Sequence, residues 1–155
     1  MAKAKKAAKS FTVWLLIVLQ AFLGIGGVVG GLLLVVDPSG DLIMMPIDLL
    51  EHSPFPNFLI PGLILLVVLG IIPTLISYAL ARKPNWSFGD KLNIFKELHW
   101  TWAFSLYIGF ALIIWITVEV YMLQEVSIVH LFYIALGLII QAVTVLPSVR
   151  NHYLK

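Results

Sequence analysis

Four long stretches of the chain carry almost no charge, and the charged residues between them come in short clusters. No charge falls between Lys9 and Asp37, and the apolar run from Phe11 to Val36 is 26 residues long. About 20 helical residues cross a hydrocarbon core of roughly 30 Å at a rise of 1.5 Å each. A second uncharged stretch lies between Glu51 and Arg82; Pro54, Pro56 and Pro61 break its beginning, so a helix is predicted from about Phe58 to Ala81, with Pro61 in its first turn. The third runs from about Trp100 to Leu123 and contains one carboxylate, Glu119. The fourth runs from about Ile128 to Pro147, and the connection Gln124 to Ser127 is so short that spans three and four must form an antiparallel hairpin. The fold class expected is all-α, a four-span transmembrane antiparallel helix bundle forming one domain. The Lys-rich start could imitate a secretory signal, but its apolar run exceeds the 7–15 residues typical of a cleaved one, so the first helix is expected to be retained.

Composition agrees with this pattern. Of the 155 residues 61% are hydrophobic and 12% charged, against about 45–50% apolar and about 25% charged in a soluble domain. A water-soluble globule is excluded. Cysteine is absent, which removes thiol catalysis, disulfide exchange and thiolate metal sites. All ten basic residues fall on one side of the predicted spans: Lys3, Lys5, Lys6 and Lys9 before the first, Arg82, Lys83, Lys91 and Lys96 between the second and third, Arg150 and Lys155 after the fourth. The other side carries Asp37, Asp41, Asp48, Glu51 and Glu125. The positive-inside rule then places both termini in the cytoplasm. Membrane lipids are the expected partners, nucleic acid is not, and a homo-oligomer or a membrane protein partner is left open.

Two loops are long enough to carry structure. The outer one, Asp37 to Asn57, contains DPSG, MPIDLLEH and SPFPNF, and Pro46 is placed to begin a short helix through His52, with Ile47, Leu49 and Leu50 on the membrane surface or roofing the bundle. The inner one places Leu92, Phe95 and Leu98 at helical spacing, which predicts an amphipathic interfacial helix or an early start to span three. DPSG followed by MPIDLLEHSPFPNFLIPGLIL, the layout of four short spans and YIALGL in the last resemble a widespread group of small uncharacterised bacterial four-span integral membrane proteins. The resemblance implies a bacterial inner-membrane location; it transfers no activity, cofactor or catalytic residue.

Polar residues inside the spans are the candidates for function. Gln20, Gly24, Gly27 and Gly31 share one face of span one, and Gly26 with Gly30 makes a second small-residue pair. Packing within the bundle is the ordinary reading, and a homodimer contact or ligand groove is the alternative. His130, Tyr133, Gly137, Gln141 and Thr144 form a stripe on span four that should face the interior. Gln20 and Gln141 both lie roughly 9–12 Å from the inner ends of their spans, which predicts a hydrogen bond between them worth about 1 kcal/mol.

Glu119 is the most informative residue, because a carboxylate within a span points to a cavity, a partner or a functional site. On the antiparallel neighbour His130 lies level with it to within about 3 Å, and Tyr133 is one turn deeper. The ordinary reading is a structural hydrogen bond from His130 or Tyr133 to Glu119; the alternative is a ligand site formed by Glu119, His130 and Tyr133 and opening toward Asp37 in the acidic loop. No HExxH, P-loop, GxSxG or dinucleotide signature is present, so no catalytic residue and no cofactor is assigned. A metal held by His52, His130, Glu119 and Asp37 is geometrically conceivable but unsupported by any fixed register, so no metal site is assigned either. The leading expectation is a non-enzymatic integral membrane protein that binds a lipid or small amphiphile, or acts as an accessory subunit. The alternative is a small proton-coupled transporter using Glu119.

Overall fold

Ser10 begins the first span: its backbone is extended and its hydroxyl accepts from the Val13 N–H, supplying one of the partners that a helix start lacks. From there Phe11–Val36 runs unbroken. The computed structural model describes residues 8–155, so Lys3, Lys5 and Lys6 lie outside the described residues. Three more spans follow, Leu59–Arg82, Trp100–Leu123 and Ile128–Val145, each long and apolar enough to cross a membrane. They pack as an all-α bundle, with no β-strand among the described residues. The bundle is apolar on the outside as well as within. In span one Phe11, Trp14, Val18, Phe22, Ile25, Val29, Leu32 and Val36 are exposed along one face, while Val13, Leu16, Gln20, Leu23, Gly27 and Gly31 are buried on the other. An exposed stripe of that length suits hydrocarbon rather than water.

Spans one and two make the closest backbone approach, and glycine permits it. A Cβ on Gly31 would stand 2.5 Å from the Leu66 nitrogen and 2.6 Å from its Cα; one on Gly70 would stand 2.7 Å from the Val28 nitrogen. The glycine face of span one is therefore occupied within the chain, as the packing reading expects, and is not free for a second copy. Span two opens into a single π turn at Val67–Ile71. Pro73 explains it, because proline has no N–H to offer the Leu69 carbonyl and its ring crowds that oxygen. Thr74 helps to settle the disturbed turn by donating its hydroxyl to the Gly70 carbonyl at 2.8 Å.

The basic end is closed by the carboxyl-terminal tail. Span four stops at Val145, not at Pro147 as the sequence suggests, because Pro147 starts a separate short helix, Pro147–His152. Beyond it Tyr153 is fully buried and donates its hydroxyl to the Leu80 carbonyl at 2.8 Å. The His99 N–H donates to the Tyr153 carbonyl, also at 2.8 Å. Lys155 pairs with Asp90 at 2.8 Å. The predicted amphipathic helix through Leu98 does not form. A short helix, Ser87–Leu92, ends at Asn93, whose side chain accepts from the Phe95 N–H at 2.8 Å and donates to the Leu98 carbonyl at 2.7 Å. That local bonding competes successfully with the next helical turn.

At the acidic end the long loop folds back over the helices. It holds two short 3₁₀ turns, Asp41–Ile43 and Ile47–Leu50, in place of one helix from Pro46 to His52. Gly40 turns the chain with φ of 84°, a conformation that glycine adopts without strain. Leu50 is buried against Leu34 and Phe58, so the loop does roof the bundle. Spans three and four are joined by the predicted tight connection: Gln124 takes a left-handed conformation at φ 52° and Ser127 caps the next helix.

Candidate functional site

Between the roof and the middle of the bundle lies a partly open cavity of about 200 Å³. All four spans contribute to it. Leu23, Gly26, Gly27, Gly30 and Leu34 come from span one, Pro61, Leu65 and Leu69 from span two, Leu112, Trp115, Ile116 and Glu119 from span three, and Val129, His130 and Tyr133 from span four. Ile43, Met45 and Leu50 of the loop cover it together with Phe58. From Leu23 to Leu34 the wall follows 11 residues of span one, about 16 Å at 1.5 Å each, which is close to the depth of one leaflet of a bilayer.

The polar groups are confined to one region of an otherwise apolar wall. Glu119 stands four residues before the end of span three, about 6 Å along the axis, and Trp115 is one turn beneath it on the same face. The level match predicted from the hairpin holds to the extent that Glu119, His130 and Tyr133 line the same cavity. They are not bonded to one another. His130 is buried, and its Nδ1 accepts from the Ser127 N–H at 3.0 Å, with the Ser127 hydroxyl at 3.1 Å. The start of span four thus takes the nitrogen that might have served Glu119. An Nδ1 that accepts an N–H carries a lone pair, so in this arrangement the ring proton resides on Nε2. Glu119 itself has no hydrogen bond or ion pair with any described residue. Tyr133 brings its hydroxyl beside Gly26, 3.5 Å from where a Cβ would stand.

Two other expectations are corrected. Asp37 does not belong to the site. It ends span one, and its carboxylate accepts from the Ser39 hydroxyl at 2.5 Å, the Ser39 N–H at 3.2 Å and the Leu42 N–H at 2.9 Å. Those bonds, led by the Ser39 hydroxyl, hold its pKa below the ordinary carboxylate value. Asp37 therefore organises the loop, and no group of three or more His, Asp or Glu able to hold a metal forms among the described residues. Gln20 and Gln141 are also not hydrogen-bonded to each other. Gln20 donates to the Ser105 hydroxyl at 2.9 Å and to its carbonyl at 3.3 Å, reaching across the bundle to span three although spans one and four are the pair in direct contact. Gln141 packs against Gly109, and its Nε2 and the Gln20 Oε1 are buried without a protein partner. Around them Ser105 meets the Thr144 hydroxyl at 3.2 Å and Trp102 donates to the Thr144 carbonyl at 2.7 Å.

Between this lower network and the cavity lies an apolar layer. Leu23, Leu69 and Leu112 are 2%, 1% and 1% exposed, and among the described residues no chain of hydrogen bonds joins Glu119 to Gln20. The sequence reading did not foresee Met45 and Phe58 as lining residues; their place in a proline-punctuated loop carries no periodicity from which to read it. Geometry of this kind defines a class, a multi-pass helical membrane protein with an internal cavity at the acidic end. Neither family models, curated proteins nor solved structures give a match to the chain.

Proposed function

We propose that this chain is a non-enzymatic bacterial inner-membrane protein, with both termini in the cytoplasm, that accommodates one chain of a lipid or small amphiphile between its four helices. The observation that carries the reading is a cavity one leaflet long, apolar along its wall, with a carboxylate, an imidazole and a phenol gathered on it. Ligand sites are commonly built this way, apolar lining with a few convergent polar groups. An accessory-subunit role is compatible with the same fold but draws on no further feature of it. The proton-coupled transporter working through Glu119 draws on the unpartnered carboxylate, yet the leucine layer beneath the cavity supplies no group to carry a proton onward.

The test is native mass spectrometry of the protein extracted gently from its own membrane, beside a Gly30→Leu variant. Gly30 lines the cavity, and a Cβ there meets only the Leu65 Cδ2 at 3.4 Å, so a larger side chain should enter the empty space. The wild type is expected to carry a lipid-sized mass that the variant lacks at unchanged thermal stability. Loss of no adduct, or no adduct to lose, would remove the reading.

A further inference from the structure

The site lies in a part of the molecule that contains no cationic side chain. Lysine and arginine are absent from residues 10 to 81 and again from 97 to 149, and every lining residue of the cavity falls within those two segments. The loops at the same end add Asp37, Asp41, Asp48, Glu51 and Glu125. His130 does not change the sign, since Nδ1 is occupied as an acceptor. An anionic head entering here would meet like charge with nothing to neutralise it, at a depth where water cannot do so.

Glu119 has the opposite need. It is a partly buried acceptor with no donor among the described residues, and a carboxylate withdrawn from water is costly unless paired. Trp115 on the same helical face and Tyr133 across the cavity are aromatic rings of the type that attract an ammonium through their faces. The volume is also informative. A cavity of about 200 Å³ is little larger than the roughly 150 Å³ that holds one benzene ring, and smaller than the roughly 300–1,000 Å³ of sites that enclose a drug-sized ligand. By that comparison it encloses about eight carbons of one chain, the remainder leaving through its open side, and not two chains.

Resting on the amphiphile-binding reading, we propose that the cavity selects a single-chain alkylammonium amphiphile, its cationic head set against Glu119 with Trp115 and Tyr133 beside it and its chain along the glycine face of span one. The head enters from the acidic end, where the surrounding carboxylates concentrate cations.

Trp115 also supplies the assay, being the one tryptophan of the five that lies in the half of the bundle nearer the acidic end. The protein is placed in phosphatidylcholine nanodiscs and titrated with 12-bromododecylammonium, 12-bromododecanol and 12-bromododecanoate at equal mole fractions in the bilayer. Bromine on the chain quenches Trp115, and a Trp115→Phe variant gives the background to subtract. The ammonium is expected to quench at roughly tenfold lower mole fraction than the alcohol, the gain of an ion pair with Glu119 over a hydrogen bond from a neutral donor, with the carboxylate weakest. Glu119→Gln should bring the ammonium to the level of the alcohol; Gly30→Leu should abolish saturable quenching by all three. Equal quenching by the three heads, or a Glu119→Gln variant that still prefers ammonium, overturns the head-group selection while leaving the amphiphile site standing. Absence of saturable quenching by any of them overturns the amphiphile site itself. Displacement of the ammonium probe by ethanolamine phospholipid at equal mole fraction overturns the single-chain assignment.

Discussion

Replacing Gly27 by alanine adds one carbon at the tightest contact in the bundle. That carbon would stand against the carbonyl group of Leu69 and 2.7 Å from the Gly70 nitrogen, where nonbonded atoms rest at about 3.5–4.0 Å. Both neighbours are backbone, so no rotamer change can relieve the overlap. Spans one and two must separate by more than about 1 Å to reach that spacing, which also loosens Gly31 against Leu66 and Gly70 against Val28. Overpacking of this kind costs about 1–3 kcal/mol, and the loss of neighbouring contacts puts the figure near 2–3 kcal/mol. The gain of alanine over glycine in a helix, about 0.5–1 kcal/mol, hides part of it. Gly26→Ala removes that ambiguity, since it lies one residue away in the same helix and its Cβ would meet only the Tyr133 hydroxyl at 3.5 Å. The propensity gain is common to both variants, so their difference isolates the packing cost, expected at about 2–3 kcal/mol in favour of Gly26→Ala. Reversible unfolding in mixed maltoside and dodecyl sulfate micelles measures it, with Gly27→Leu as the extreme case that should not fold stably. If the two alanine variants unfold within about 0.5 kcal/mol of each other, the close approach of spans one and two is not what holds the bundle.

Three further outcomes follow from the same geometry. Gln20→Leu should cost no more than about 1 kcal/mol, because it trades the two hydrogen bonds of one amide nitrogen to Ser105 for removal of a buried acceptor without a protein partner; a loss above about 2 kcal/mol in the same micelle assay would show that Gln20 has a further partner. Burial, reinforced by Lys83 and Lys9, holds His152 below the ordinary imidazole pKa, and burial does the same for His99. The unfolded chain then binds protons more readily than the folded one, so stability is present above about pH 6.5 and lost as pH falls below it. The melting temperature should drop between pH 7.5 and 5.5, and His152→Phe should flatten the drop; a wild-type curve that is level or rises toward acid contradicts the burial argument. For orientation, cysteine at Met44, which is 90% exposed at the acidic end, should react with an impermeant maleimide in intact cells, while cysteine at Asn151 should react only after lysis; the reverse pattern inverts the topology.

What could be read from the chain, and what could not, divides along a physical line. Spans were legible because lipid imposes one rule on every residue in them, that charge is excluded over about 20 positions. The meeting of Glu119, His130 and Tyr133 at one cavity was legible too, since a four-residue connection fixes the register of an antiparallel pair and helical rise does the rest. Individual bonds were not. His130 was drawn to its own helix start by Ser127, Asp37 to its own loop by Ser39 and Leu42, and Gln20 to the Ser105 hydroxyl and carbonyl on a third helix. Each polar side chain took the nearest backbone or hydroxyl partner, and spacing along one pair of helices gives no view of such competitors. Asn93 ended a helix for the same reason. Pro73 did carry a signal in the sequence, a proline deep in a span, and the π turn at Val67–Ile71 is its consequence.

The central claim is that the space between the four helices holds a hydrocarbon chain. An experimental structure of the protein in nanodiscs made from its own membrane lipids tests it most directly. The account predicts one continuous tube of non-protein density, about 16 Å long, beginning beside Glu119 and Trp115 and running along Gly26 and Gly30 beneath the Met45–Phe58 roof. A cavity closed by inward movement of Tyr133 and Leu65, or one filled by discrete water peaks bonded to Glu119, would contradict it.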